Sequence, residues 1–201
     1  GISLYALLEG CSKGGDGGGG PTTPTGGTAP TGGSSISAEA LEILRTVFTG
    51  GIPGAPAFRF PSTAITYRVE DETISLPDAE KSAGFWNTNA GMALRHDGNA
   101  QIVIRRNPQL GNRCETYNWS DTSNATFTKA EIACGVAVTG AHTIAHEFGH
   151  AIGIRGHAYC GIMLGNDPKG PSCSGSGLIE GPTGLFEAVR VLYSNPPGTK
   201  Y

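Results

Sequence analysis

The chain has 201 residues and a formal net charge of −3, with 14 Lys and Arg against 17 Asp and Glu. That length is sufficient for one domain with a substantial core, and the near-neutral charge excludes the basic surface typical of nucleic-acid-binding proteins. Glycine is abundant, at 32 residues, and is concentrated before residue 36. One folded domain preceded by a low-complexity segment is therefore expected.

The N-terminal segment has the pattern of an export signal followed by a tether. Residues 1–11 are apolar but shorter than the roughly 20 residues that a membrane-spanning helix needs. The end of this stretch, L-E-G-C, resembles a bacterial lipobox, which implies that Cys11 carries a lipid. Residues 12–36 are almost entirely Gly, Pro, Thr and Ser and predict a flexible tether. A plain disordered N-terminus is the alternative. The folded domain is expected over residues 37–201.

The first half of the domain predicts two helices and a strand. Ser37 is a candidate N-cap for a helix that ends near Thr49, before Gly50 and Gly51. Residues 64–69 alternate apolar and polar side chains, as a half-buried strand does. A second helix is expected to begin at Pro77. Its inward stripe would comprise Ala79, Ala83, Trp86 and Ala90.

The second half adds strands and a closing helix. Residues 101–105 predict a strand, and residues 107–125, rich in Asn, Gly and Ser, predict a long connection. Residues 127–138 predict one or two further strands. A last amphipathic helix is expected over residues 183–194. This order of elements predicts an α+β fold.

Four of the five histidines of the chain fall within residues 142–157. Residues 146–150 read H-E-F-G-H, the H-E-x-x-H spacing. On a helix, side chains four residues apart share a face, so His146 and His150 can converge on one metal ion. Imidazole nitrogen suits zinc, and Glu147 is the candidate general base. Two unrelated helix histidines are the alternative.

A third ligand is needed to hold the ion. Gly153 allows a sharp turn after the helix, so that the chain can bring His157 back to the metal. Three protein ligands leave a position open for water, as in catalytic zinc sites. Glu187 on the last helix and His142, one helical turn before His146, are the rival candidates. His142 is expected to pack behind the site.

Residues 139–164 resemble the metzincin zinc peptidases, whose pattern is H-E-x-x-H-x-x-G-x-x-H followed by a methionine-containing turn. The segment H-E-F-G-H-A-I-G is most similar to the matrixin branch. His157 comes one residue later than the third histidine of that pattern, and Gly156 is expected to be absorbed in a loop. The resemblance implies a twisted, mostly parallel sheet packed on two helices, with a small C-terminal subdomain. It also implies that Met163 supports the site structurally.

The cysteines predict an oxidising location. Cys11 stands apart, and the other four allow three disulfide pairings. Short loops favour Cys114 with Cys134 and Cys160 with Cys173. A thiolate ligand at Cys160 is the competing interpretation, although a fourth protein ligand would leave no room for substrate.

Together these features predict an exported zinc endopeptidase with His146, His150 and His157 as ligands and Glu147 as acid and base. Its partner would be a protein or peptide substrate. It would be a monomer in the bacterial cell envelope or outside the cell, touching the membrane only through the lipid on Cys11 and binding no nucleic acid. The alternatives are a catalytically silent, zinc-stabilised surface binding module and a zinc hydrolase that acts on a non-protein amide.

Overall fold

A computed structural model describes the backbone of residues 2–6 and all atoms of residues 36–137, 140–166, 168–169 and 184–201. The predicted lipobox cysteine Cys11, residues 12–35 of the predicted tether over residues 12–36, and Cys173 lie outside these ranges. No helix in the described ranges has the length and apolar character required to cross a membrane.

Four helices and six strands make up the described fold. The helices are α1 (Ala38–Thr46), α2 (Leu76–Ala90), α3 (Ala141–Ala151) and α4 (Gly184–Ser194). The strands are β1 (Ile2–Ala6), β2 (Ala64–Val69), β3 (Ala93–His96), β4 (Ile102–Arg106), β5 (Cys114–Asp121) and β6 (Thr126–Cys134). Two short 3₁₀ turns cover Pro108–Leu110 and Gly161–Met163.

The strands form one sheet in the order β1-β5-β6-β4-β2-β3. Three pairs of neighbouring strands are parallel: β3 with β2, β2 with β4, and β4 with β6. Strand β5 pairs antiparallel with both β6 and β1. Parallel neighbours need crossovers, and α2 supplies the one between β2 and β3. The predicted α+β class and its mostly parallel sheet are therefore confirmed.

Side-chain caps fix where the first two helices begin. Ser37 is the N-cap of α1, as predicted, and its hydroxyl accepts a hydrogen bond from the Ala40 N–H at 3.2 Å. Ser75 caps α2, so this helix begins at Leu76 and Pro77 occupies its first turn. The predicted inward stripe of α2 is buried.

The prediction of a connection over residues 107–125 is wrong at residues 114–121, which form strand β5. Burial alternates along β5, but the inward side chains at positions 116, 118 and 120 are Thr, Asn and Ser. Because both faces of the strand carry polar residues, the apolar alternation that marks a strand is missing. Cys114 and Cys134 form the expected disulfide between the start of β5 and the end of β6.

The core joins α2 to α3. Trp86 of α2 is fully buried, and its indole N–H donates to the Ala145 carbonyl of α3 at 2.7 Å. Phe148, also fully buried, packs edge-on against Tyr67 of β2 with ring centroids 5.2 Å apart. These contacts fix α3, the helix that carries the H-E-x-x-H residues, between α2 and the sheet.

Candidate metal centre

His146 and His150 lie one turn apart on α3, and their Nε2 atoms are 3.1 Å from each other. Both rings are oriented by main-chain carbonyls. His146 Nδ1 lies 2.7 Å from the Ile162 carbonyl oxygen, and His150 Nδ1 lies 2.6 Å from that of Ile154. A carbonyl oxygen only accepts, so both Nδ1 atoms carry the hydrogen and both Nε2 atoms present a lone pair.

The two imidazoles are held in the neutral form that a metal requires. Burial and, to a smaller extent, the neighbouring His150 together lower the pKa of His146 to about 4. Burial likewise lowers the pKa of His150 to about 4, with His157 adding to the effect. Both residues are therefore uncharged near pH 7, which is the state in which Nε2 can bind a cation.

The chain reverses after α3 at Gly153, as the sequence predicts. Its φ is +125°, a conformation that L side chains rarely adopt, and a Cβ there would lie 2.5 Å from the Phe58 carbonyl oxygen. Gly156 follows, and its N–H donates to the Val47 carbonyl at the end of α1 at 2.7 Å. The additional residue before the third histidine is thus accommodated against α1.

The reversal brings His157 to the first two histidines. Its Nε2 lies 3.3 Å from that of His150, and the ligand atoms of all three residues lie within 4.8 Å of one another. Gly165 packs on the His157 ring, since a Cβ at position 165 would lie 2.3 Å from two ring carbons. The Lys169 N–H donates to the His157 carbonyl at 2.8 Å, which also holds the loop.

This arrangement fits a tetrahedral metal ion. Zinc–nitrogen bonds of about 2.0–2.1 Å at tetrahedral angles place ligand nitrogens about 3.3 Å apart. Two of the three separations, from His150 Nε2 to the Nε2 atoms of His146 and His157, are 3.1 and 3.3 Å and match this value. Lone pairs that face each other at such distances repel unless a cation lies between them. Within the described ranges, these three histidines are the one group of His, Cys, Asp or Glu whose ligand atoms cluster closely enough for a metal.

Glu147 lies beside the histidines and is 5% exposed. Its Oε2 accepts a hydrogen bond of 2.6 Å from the Thr116 hydroxyl of β5. Burial raises the pKa of the Glu147 carboxyl, while His146 and the Thr116 hydrogen bond oppose that shift. A carboxyl group with a raised pKa beside a metal site is suited to accepting and releasing a proton.

Met163 lies against α3 in the turn that follows His157. It is fully buried, and a Cβ on Gly149 would lie 2.3 Å from its sulfur and 2.8 Å from Trp86 Cζ2. The preceding residue, Ile162, supplies the carbonyl that orients His146. The turn therefore supports the histidine cluster in two ways: Met163 packs against α3, and the Ile162 carbonyl orients the His146 ring.

Replacing Gly149 with alanine should destabilise the fold, whereas Gly84→Ala in α2 should stabilise it. Alanine favours a helix interior over glycine by about 1 kcal/mol, and a Cβ at Gly84 meets nothing within 4 Å. At Gly149 the clash with Met163 and Trp86 should cost about 1–3 kcal/mol and exceed that gain. Urea denaturation of chelator-treated protein measures both changes. Equal stabilisation by the two variants would contradict the packing.

The three alternative metal ligands, Glu187, His142 and Cys160, either lie outside the histidine cluster or are bonded to another group. The Glu187 carboxylate accepts hydrogen bonds from the backbone N–H and the hydroxyl of Ser37, at 2.9 and 2.5 Å. His142 is exposed and does not belong to the histidine cluster. Cys160 is disulfide-bonded and so offers no thiolate, while its predicted partner Cys173 lies outside the described residues.

Sequence reasoning missed two residues behind the site, Thr116 and Asn118. The Asn118 side-chain amide donates to the His150 carbonyl at 3.1 Å, and Thr116 bonds Glu147. Both belong to β5, which the sequence did not reveal as a strand. Polar residues at every second position, 116, 118 and 120, are the signal that could have found them.

Comparison with protein-family models found no match, and comparison with curated proteins found no significant similarity. Function is therefore inferred from the geometry of the histidine cluster and from the resemblance of residues 139–164 to the metzincin pattern.

Proposed function

We propose that this protein is a zinc-dependent endopeptidase of the metzincin type. The observation that carries the proposal is the convergence of three imidazoles, those of His146, His150 and His157, beside the buried carboxyl group of Glu147. Three nitrogen ligands are the protein contribution expected of a catalytic zinc site, and a structural site normally has four. The mostly parallel sheet and the turn at Met163 also support this proposal.

His146, His150 and His157 would hold the ion through their Nε2 atoms. Zinc bound there supplies Lewis acidity, which lowers the pKa of a water in the remaining position to about 7 and polarises a peptide carbonyl. Glu147 takes the proton of the attacking water on its carboxylate and then passes it to the departing amine. Its buried position favours the protonated form that must exist between these two steps.

The burial of Glu147 favours an enzyme over a silent binding module. Keeping a carboxyl group buried disfavours its charged form, and the histidines need no such group to hold an ion. A zinc site that served stability alone would be expected to lack it. A zinc hydrolase of non-protein amides would use the same groups, so substrate tests must separate it from a peptidase.

We further propose that the protein is exported and held at a bacterial surface by a lipid on Cys11, which would then be the mature N-terminus, so that the lipidated form would lack β1. The disulfides at Cys114–Cys134 and at Cys160 suit an oxidising compartment. The long stretch of Gly, Pro, Thr and Ser after Cys11 would let the domain reach protein or peptide substrates away from the membrane. We expect a monomer.

Zinc content and proteolysis of the full chain test the proposed function together. One zinc per chain and internal cleavage of an unfolded protein such as casein, abolished by a chelator and restored by zinc, are expected. Stoichiometric zinc without cleavage across a broad peptide library would instead favour the silent binding module. Cleavage of non-peptide amides alone would favour the other hydrolase.

A further inference from the structure

The hydrogen bond that holds the Glu147 carboxylate comes from a strand of the sheet, and not from the helix α3 that carries Glu147. Thr116 Oγ1 of β5 lies 2.6 Å from Glu147 Oε2, and both side chains are buried, at 6% and 5% exposure. A glutamate side chain has three rotatable bonds, so an oriented carboxylate needs a partner that fixes its end. In a buried site, a hydrogen bond from a hydroxyl group to a carboxylate is strong and directional.

We infer that Thr116 is a positioning residue for the reaction, one that fixes the Glu147 carboxylate beside the three histidines. This inference rests on the proposed function. Thr116 reaches Glu147 because β5 packs on α3, and Asn118 makes a second anchor two residues along, to the His150 carbonyl. Strand β5 is therefore hydrogen-bonded to α3 at two positions, at the proposed general base Glu147 and at the proposed ligand His150.

The Thr116 hydroxyl has a second acceptor within reach. It lies 3.1 Å from the backbone carbonyl oxygen of Glu147 as well as 2.6 Å from Oε2. A hydroxyl hydrogen turns freely about the C–O bond, and its oxygen accepts as well as donates. Thr116 can therefore stay bonded to the side chain whether or not the carboxyl group carries a proton.

Not every inward hydroxyl on this strand makes such a contact. Ser120 lies on the same face of β5 and is equally buried, yet its Oγ has no hydrogen-bond partner among the described residues. Burial on this face of β5 is therefore not sufficient for such a hydrogen bond, and Thr116 makes one because it lies opposite Glu147. Ser120→Ala also provides a matched control, because it removes a buried hydroxyl from the same strand without breaking a hydrogen bond.

The test compares Thr116→Val, Thr116→Ser and Ser120→Ala in the zinc-loaded full chain. Valine keeps the shape of threonine and removes the hydroxyl, so kcat should fall by about 10- to 100-fold while KM stays within about threefold. Serine keeps the hydroxyl and should retain kcat within about threefold of the wild type. Ser120→Ala should leave kcat unchanged, and all three variants should keep one zinc per chain.

A wild-type kcat in Thr116→Val, or an equal loss in Thr116→Ser, would overturn the inference. Crystal structures of the wild type and of both Thr116 variants give a readout that does not depend on cleavage. The Glu147 carboxylate should turn away from its wild-type position with valine and keep it with serine; an unmoved carboxylate with valine would overturn the positioning role. If the wild type cleaves nothing, the proposed function fails, and the crystal structures still decide whether Thr116 orients Glu147.

Discussion

Replacing Glu147 with glutamine should lower peptide cleavage by about 100- to 10,000-fold while the protein keeps its zinc, because positioned acid–base groups contribute about that much. Glutamine preserves the size of the side chain and an oxygen that can accept from Thr116, but it cannot take a proton from water. The measurement is kcat/KM on a peptide cleaved by the wild type, with zinc content determined on the same preparation.

Stability provides the control for this variant. Because burial raises the pKa of Glu147, the folded state disfavours the ionised group at neutral pH, a cost that the unfolded chain does not share. Glutamine removes that cost, so the metal-free variant should unfold at the same urea concentration as the wild type or a higher one. Full activity in a folded, zinc-loaded variant would remove Glu147 from the mechanism.

Replacing His157 with alanine should weaken zinc binding by more than about 100-fold, since even groups that only orient ligands contribute 10- to 100-fold. Its Nε2 lies 3.3 Å from that of His150, and two nitrogens do not complete the site. Competition with a chromogenic chelator measures the affinity. Cleavage should fall with the bound zinc and should recover in part when excess zinc is added.

Two other variants test the rival ligands. Glu187→Gln keeps an acceptor for Ser37, and His142→Ala alters an exposed side chain, so both should bind zinc as the wild type does. If either of them lost zinc while His157→Ala retained it, the third ligand would have been misassigned.

The packing of the His157 ring can be tested at Gly165. A Cβ at this position would lie 2.3 Å from two ring carbons, so Gly165→Ala should displace the imidazole and weaken zinc binding in the same direction as His157→Ala. Gly98→Ala is the matched control, because a Cβ there meets nothing within 4 Å. Equal zinc affinity in both glycine variants would show that the ring position does not depend on Gly165.

The histidine cluster was predictable because its residues are close in sequence. His146 and His150 share a face through helix geometry alone, and Gly153 marks the turn that brings His157 back. The first two helices and strand β2 were predictable for a similar reason, since their caps and apolar spacing are local signals. The helix starts differ from the prediction by a residue at most.

Strand β5 shows where local signals fail. Its inward residues Thr116, Asn118 and Ser120 are polar, and the first two face α3, where Thr116 bonds Glu147 and Asn118 bonds the His150 carbonyl. A strand whose buried face is polar loses the alternation of apolar and polar residues that identifies strands. Strand β3, with four residues, is too short to give a clear pattern.

The sequence by itself determined the α+β class, the helix that carries the H-E-x-x-H residues and the candidate ligand set, and it favoured the Cys114–Cys134 pairing. Each of these depends on spacing along the chain or on residue types whose chemistry is specific. Only the tertiary structure decided that Glu187 binds Ser37, that Gly165 packs on the His157 ring and that Thr116 holds Glu147. Those contacts join residues 8 to 150 positions apart. Their formation depends on how α1, α4, β5 and the loop after α3 pack, which no local pattern encodes.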